Sequence, residues 1–284
     1  MPSSRDLVTD LVAIQQSIAR GSLVLPGIAD GSQELRQALA EDEPDPRTIT
    51  AAIRRDPGLS SYMIKVANSA ARRGEQETDS PLAALHRLGL KLTGVMVTNF
   101  ALMQMVGEMK GPYRKRVAQV YQHSRETAAY CHALARAFTN LPPDKALLAG
   151  LVHDVGKLVV LQFAARKPEL NADPGRLEQL LRYTHASLGA SLLRNWRFPE
   201  AVIAAVAAHE SWMREVAGGE PDLADLIIAS QIDLHRGTTH PMADLSDRQV
   251  PAMDRLGLPE GVPFRDWPEF RRPFRESCAL LGLR

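Results

Sequence analysis

The stretch from residue 146 to 165 is the most apolar in the chain, yet it carries His153, Asp154 and Lys157 in its middle. Charges at that depth would be costly in hydrocarbon, so the stretch is expected as a pair of core helices and not as a membrane span. The surrounding sequence points the same way. Alanine and leucine dominate long runs, β-branched residues are scattered and aromatics make up only 5%, so the core is mostly aliphatic and helix propensity prevails.

Apolar spacing predicts a first helix over 6–18, with Leu7, Leu11, Ile14 and Ile18 on one face and Gly21 as its stop. A turn at Leu25-Pro26-Gly27, a helix over 32–40 and a helix from Pro46 with Ile49 and Ile53 buried follow. Asp56-Pro57 is a start signal, because Asp caps free amides and Pro suits the first turn. The helix after it carries Leu59, Tyr62, Met63, Val66 and Ala67. Past a polar loop at 74–80, Pro81 opens a helix with Leu82, Leu85 and Leu88 inward and His86 and Arg87 outward, ended by Gly89. An apolar helix over 92–106 is expected near the centre of this lobe.

The Gly111-Pro112 loop is the best internal boundary. Helices are expected beyond it over 114–138, 143–163, 176–196, 199–212 and 223–235. From Thr238 the chain becomes rich in proline, arginine and aspartate. The expected organisation is all-α, with an N-terminal lobe over 1–112, a second helical lobe over 113–237 and an irregular tail over 238–284.

Lys and Arg number 34 against 33 Asp and Glu, a net charge of +1, so no global field draws the chain to nucleic acid or an anionic membrane. Neither is expected as a partner. The short basic runs Arg114-Lys115-Arg116 and Arg271, Arg272, Arg275 lack the stacking aromatics of single-strand binders and are read as solvated surface. Two cysteines, Cys131 and Cys278, make no disulfide framework, and the first twenty residues lack a secretory pattern. A reducing cytoplasm is the expected compartment.

The most specific local feature is His153-Asp154 within Gly150-Leu151-Val152-His153-Asp154-Val155-Gly156-Lys157. Neighbouring helical residues point about 100° apart, so both reach one ion only if it lies beside the helix and other helices add ligands. Suitable donors are His123 in the preceding helix, His185 in the following one and His209 in the next. Four helices presenting imidazoles inward is how a bundle builds a metal site. A divalent ion held there would polarise a phosphoryl group and acidify a bound water, with Asp154 and Lys157 as the candidates for catalysis and Lys157 one turn on as a phosphate contact. A nucleotide or other phosphoester is the ligand class that fits. The competing reading of each histidine is a hydrogen-bonded core or boundary residue, and it is preferred for His86, His132, His235 and His240.

In order along the chain stand Arg54-Arg55-Asp56-Pro57-Gly58-Leu59, Lys65-Val66-Ala67-Asn68-Ser69-Ala70, Leu88-Gly89, Gln122-His123-Ser124, the His-Asp block, Tyr183-Thr184-His185-Ala186, Trp196 with Phe198-Pro199-Glu200, and Ala208-His209-Glu210. Together they resemble the HDOD family, relatives of the HD and HD-GYP phosphohydrolases. The resemblance implies an all-helical, two-lobed fold with an HD-like core, a regulatory or scaffold role in bacterial signal transduction beside other signalling proteins, and no demonstrated catalysis. Two departures from the catalytic relatives bear on activity. No Gly-Tyr-Pro triplet follows Ala208-His209-Glu210, and Ser230 stands where the closing metal aspartate of active HD enzymes is expected. A hydroxyl is a poor substitute for a carboxylate on a hard cation, so the resemblance implies a degenerate centre and, as the alternative, a metal-dependent phosphohydrolase. Asp225 and Asp233 of the same helix are read as solvated charge.

Overall fold

Several helices begin with an acid or hydroxyl followed by proline. Asp45, Asp56, Ser80 and Asp173 each accept backbone N–H bonds from the first turn of the helix they precede, and the proline that follows has no N–H to leave orphaned. The computed structural model describes residues 4–20, 35, 38–39, 44–69, 77–244, 250–258 and 261–283. Its helices are α1 Ser4–Ala19, α2 Pro46–Arg54, α3 Pro57–Ala67, α4 Pro81–Glu108, α5 Arg114–Phe138, α6 Pro143–Val152, α7 Val155–Ala164, α8 Pro168–Ala172, α9 Pro174–Asn195, α10 Glu200–Ala208, α11 Leu223–Leu234, α12 Pro251–Leu256 and α13 Pro268–Leu281. Among the described residues there is no strand. The expected turn at Leu25-Pro26-Gly27 lies outside the described residues, as do residues 74–76 of the polar loop and most of the helix expected over 32–40, of which Leu35 is helical and buried.

The fold is all-α and two-lobed. In the N-terminal part α2 and α3 pack on α4, which also reaches α5 and α6. Gly89, at φ 76°, kinks α4, and the helix resumes beyond it to Glu108. Asn68, the cap of α3, donates from Nδ2 to the Thr78 carbonyl at 2.7 Å and accepts the Thr78 N–H at 2.8 Å. Arg87 donates to the same Asn68 Oδ1 at 3.0 Å, so it turns toward the α3 terminus and not outward as its place on the stripe suggested. His86 is exposed. In the second part α5 lies against α6, α11 and α13, while α9 lies against α7, α10 and α1. Pro143–Ala164 is the stretch among the described residues long and apolar enough to cross a membrane, and most of its apolar window is buried against the rest of the protein.

The chain after Thr238 corrects the expectation of an irregular tail. It forms a short 3-10 turn at Pro241–Asp244, then α12 and α13. Proline misled because Pro251 and Pro268 sit in first turns, where they are tolerated, and only Pro273 lies inside a helix. Phe264 and Phe270 are buried around Tyr130 of α5, with the Tyr130 and Phe274 ring centroids 4.8 Å apart. His132 adds a buried 2.7 Å bond between Nδ1 and Ser277 Oγ, the hydrogen-bonded core role expected of it.

Asp225 and Asp233 are not solvated either. Asp233 accepts the Phe264 N–H at 3.1 Å, and fully buried Asp225 accepts from Arg255 Nη2 at 2.6 Å and Arg214 Nη2 at 2.7 Å. Burial pushes the Asp225 carboxyl up, but the two guanidinium groups outweigh it and hold it below the ordinary carboxylate value. Its contribution to stability is therefore present above about pH 4 and lost as pH falls through the folded-state value. Asp225→Ala should cost about 3 to 5 kcal/mol at neutral pH by stranding Arg255 and leaving Arg214 only Asp222, a loss that shrinks under acid. Urea unfolding of both proteins across the acid range checks both statements.

Candidate metal centre

The helical stretch expected over 143–163 divides into two helices between His153 and Asp154. His153 caps the C-terminus of α6 in helical conformation, whereas Asp154, at φ −98° and ψ 12°, turns the chain into α7. Glycines set where the break sits. A Cβ on Gly150 would lie 2.6 Å from Ala128 Cα, so α6 meets the backbone of α5 one turn beyond His123. A Cβ on Gly156 would lie 1.9 Å from the carbonyl oxygen of His185 and 2.8 Å from Gly189 N, so α7 meets the backbone of α9 at His185 itself. The His-Asp step is thereby held between the two helices that carry the other imidazoles.

Three of those imidazoles are oriented alike. His153, His185 and His209 each place Nδ1 against a backbone carbonyl of their own helix, Gly150 at 2.8 Å, Leu181 at 2.7 Å and Val206 at 2.7 Å. A carbonyl only accepts, so Nδ1 carries a proton in each ring, and Nε2 is the nitrogen turned into the centre. Those Nε2 atoms converge on Asp154. Its Oδ1 is 3.5 Å from His185 Nε2 and 3.6 Å from His209 Nε2, and its Oδ2 is 3.5 Å from His153 Nε2. His123, half-buried on α5, has its ring centroid 5.2 Å from that of His153.

All five expected ligands are thus brought together, in two overlapping trios: His123, His153, Asp154 and Asp154, His185, His209, with donor atoms in each within 4.8 Å of one another. Asp154 belongs to both. The donors fit a divalent ion on a second ground, since His153 Nε2 and Asp154 Oδ1 are buried with no hydrogen-bond partner. Buried polar atoms are ordinarily satisfied, and a cation in each trio would satisfy these two.

Burial holds His153 neutral, with its pKa lowered to about 3. Burial also works against the charge on Asp154, but Lys157 foremost and the surrounding imidazoles hold its carboxyl well below the usual range. Lys157 donates to Asp154 Oδ2 at 2.8 Å and is 27% exposed, so it stands at the rim with one foot in the centre. Ser230 is elsewhere. It donates to the Leu226 carbonyl at 2.6 Å and lies 3.4 Å from Cys131 Sγ, two turns along α5 from His123.

Two features were not foreseen. His235, capping α11, has its ring 5.6 Å from His123 and stacks on His240 at 3.9 Å, so both extend the imidazole cluster outward. Glu210 places Oε1 3.2 Å from His185 Nε2 and 3.6 Å from His209 Nε2. The signal available for Glu210 was repetition: His153-Asp154 and His209-Glu210 are both a histidine at the C-terminal cap of a helix followed by an acid.

Gly156→Ala should separate α7 from α9 and pull Asp154 off His185. The expected result is a destabilisation of about 3 kcal/mol, the upper end for overpacking, with loss of divalent-ion binding. Calorimetric unfolding with and without added Mn²⁺ measures both.

The HDOD domain family model matches residues 25–212. A solved structure from Shewanella amazonensis SB2B, provisionally described as a metal-dependent phosphohydrolase, superposes with a TM-score of 0.78 at 20% identity, covering 98% of this chain and 99% of that one. A provisional signal transduction protein from Marinobacter aquaeolei VT8 superposes at 0.65 and 20% identity, over 98% of this chain and 65% of that one. At such identities the likeness is one of fold. Ribonuclease Y of Syntrophobacter fumaroxidans is 34% identical over 147 residues, 51% of this chain and 22% of that enzyme. The chain spans less than half the length of the curated relatives it matches first.

Proposed function

The chain belongs to the HDOD domain family, and on that premise we propose that it is a regulatory or scaffold protein of bacterial signal transduction that holds divalent metal in an HD-type centre and reads a phosphorylated ligand there without rapid turnover. The observation that carries this reading is Ser230, whose hydroxyl is spent on Leu226 and Cys131 and offers nothing to an ion. A centre lacking one anionic donor holds its ion less tightly. An arriving phosphate supplies the missing negative charge, so metal and ligand each strengthen the binding of the other, as linkage requires. That is the behaviour of a sensor site. Contacts with other signalling proteins then carry the output.

In this reading His123, His153, Asp154, His185 and His209 hold the metal, and the chemistry it supplies when bound is Lewis-acid polarisation of a phosphoryl oxygen. Asp154 spans both halves through its two oxygens, and Lys157 offers its remaining N–H groups to an anion at the rim. The imidazoles keep their orientation through the carbonyls behind them, which also raises their basicity as ligands.

A second reading, a metal-dependent phosphoester hydrolase, is favoured by the orphaned donor atoms of His153 and Asp154 beside a trio that leaves a coordination position open. One assay separates the two. With Mn²⁺ and bis(p-nitrophenyl) phosphate or nucleoside phosphates, the regulatory reading expects bound metal and saturable ligand binding by calorimetry, with no product above the His153→Ala, Asp154→Ala double variant. Turnover that the double variant abolishes would establish the hydrolase instead, and a protein that binds no divalent ion would remove both readings.

A further inference from the structure

The half of the centre around His185 and His209 contains a contact that needs explaining. The two Nε2 atoms lie 3.2 Å apart, and Glu210 Oε1 approaches them at 3.2 and 3.6 Å. Both rings turn Nδ1 to a backbone carbonyl, so the Nε2 atoms are the ones that face the carboxylates. The two buried nitrogens thus meet each other and two carboxylates, Asp154 within the centre and the more exposed Glu210 at its edge. A divalent ion among them would satisfy all of these donors at once.

The spacing agrees with a bound ion. Donors held about 2.0 to 2.2 Å from a tetrahedral ion lie about 3.3 to 3.6 Å from one another. Asp154 Oδ1 is 3.5 and 3.6 Å from the two nitrogens, Glu210 Oε1 is 3.2 and 3.6 Å from them, and the nitrogens are 3.2 Å apart. The three separations within His185, His209 and Glu210, and the two from Asp154 to the nitrogens, fall on or close to that range. We infer that Glu210 is a metal ligand, joining His185, His209 and Asp154 from the turn after α10.

The inference rests on the reading that the centre holds divalent ions, and it makes the two halves unequal. The His185 and His209 half has four protein donors, the mark of a closed, resident ion. The His123, His153 and Asp154 half has three and keeps a position for an incoming oxygen. Ligand exchange belongs to the second half alone.

The test compares wild-type protein with Glu210→Gln and, as a control, Glu200→Gln on the exposed start of α10. Each full-length protein is stripped with chelator and reloaded with Zn²⁺ or Co²⁺. Metal content after dialysis, Zn²⁺ competition with a chromophoric chelator and the Co²⁺ d–d absorption are then read. Wild type and the control should hold two equivalents, with an intense four-coordinate Co²⁺ band. Glu210→Gln should lose one equivalent or bind it about tenfold to a hundredfold more weakly, at least the loss that follows removal of an outer-shell partner, and the band should collapse. Its metal-free melting temperature should match wild type. If Glu210→Gln does not fold, Glu210→Asp, shorter by one methylene, should show the weakened affinity instead. Unchanged metal content and an unchanged Co²⁺ band in a folded variant would overturn the role of Glu210 alone. A wild-type protein without metal would overturn the metal-centre reading and this inference with it.

Discussion

The backbone of α7 touches the backbone of α9 at one place, where Gly156 faces the carbonyl of His185 with no room for a methyl group. Much of the centre depends on that contact. It fixes Asp154, two residues earlier, within 3.5 Å of His185 Nε2, and because α10 packs on α9 it also fixes where His209 arrives. On the other side Gly150 brings α6 against α5 and so sets His153 beside His123. Two glycines six residues apart thus convert a break in an apolar helix into a meeting point for four helices. No side-chain contact could hold the backbones so near, since any Cβ would occupy the gap.

A buried carboxylate ringed by imidazoles would be expensive if those rings were charged among themselves or if the carboxylate stood alone. Lys157 neutralises Asp154 at 2.8 Å, and burial keeps His153 uncharged. The helix termini contribute as well. His153, His209 and His235 are the C-terminal caps of α6, α10 and α11, and helix C-termini carry partial negative charge from their unpaired carbonyls. Ends of that sign gathered near one point favour a cation there. The imidazoles, the shared carboxylate and the helix ends therefore act in one direction, whereas the residues farther along α11 take no part. Asp225 and Asp233, whose charge matched that need, are committed to arginines and to a loop amide.

What was legible in the sequence was local. Asp56-Pro57 announces a helix start because capping and proline geometry act within a few residues, and the five clustered residues were legible as a group because His153-Asp154 stands out in an apolar run and each partner histidine sits on its own helix. Long-range facts were not legible. The break after His153 follows from Gly156 meeting His185, which no periodicity within 143–163 reveals. Asp225 looks like solvated charge until Arg255, thirty residues on, folds back to it. The C-terminal segment hid two helices because proline and arginine composition masks the apolar spacing of Trp267, Phe270, Phe274 and Leu281, which acquires meaning only beside Tyr130 of α5. Glu210 was passed over because it exposes more surface than the other donors and follows a ligand in sequence, where helical geometry would have turned it away; the end of α10 at Ala208 removes that geometry.

The same end-of-helix arrangement lets Lys157 pair with Asp154 and, in the proposed function, meet a ligand at the rim. It sits one turn into α7, so its ammonium reaches back to Asp154 while its stem follows the helix to the rim. An ammonium has three donors, and the bond to Asp154 Oδ2 uses one. The charge that makes the buried carboxylate tolerable is thus also a charge presented to solvent at the mouth of the centre. An anion binding there meets positive potential already fixed by the fold, with little side-chain entropy left to lose. Removing Lys157 would strand a buried carboxylate as well as a ligand contact, so at this position stability and recognition are one interaction.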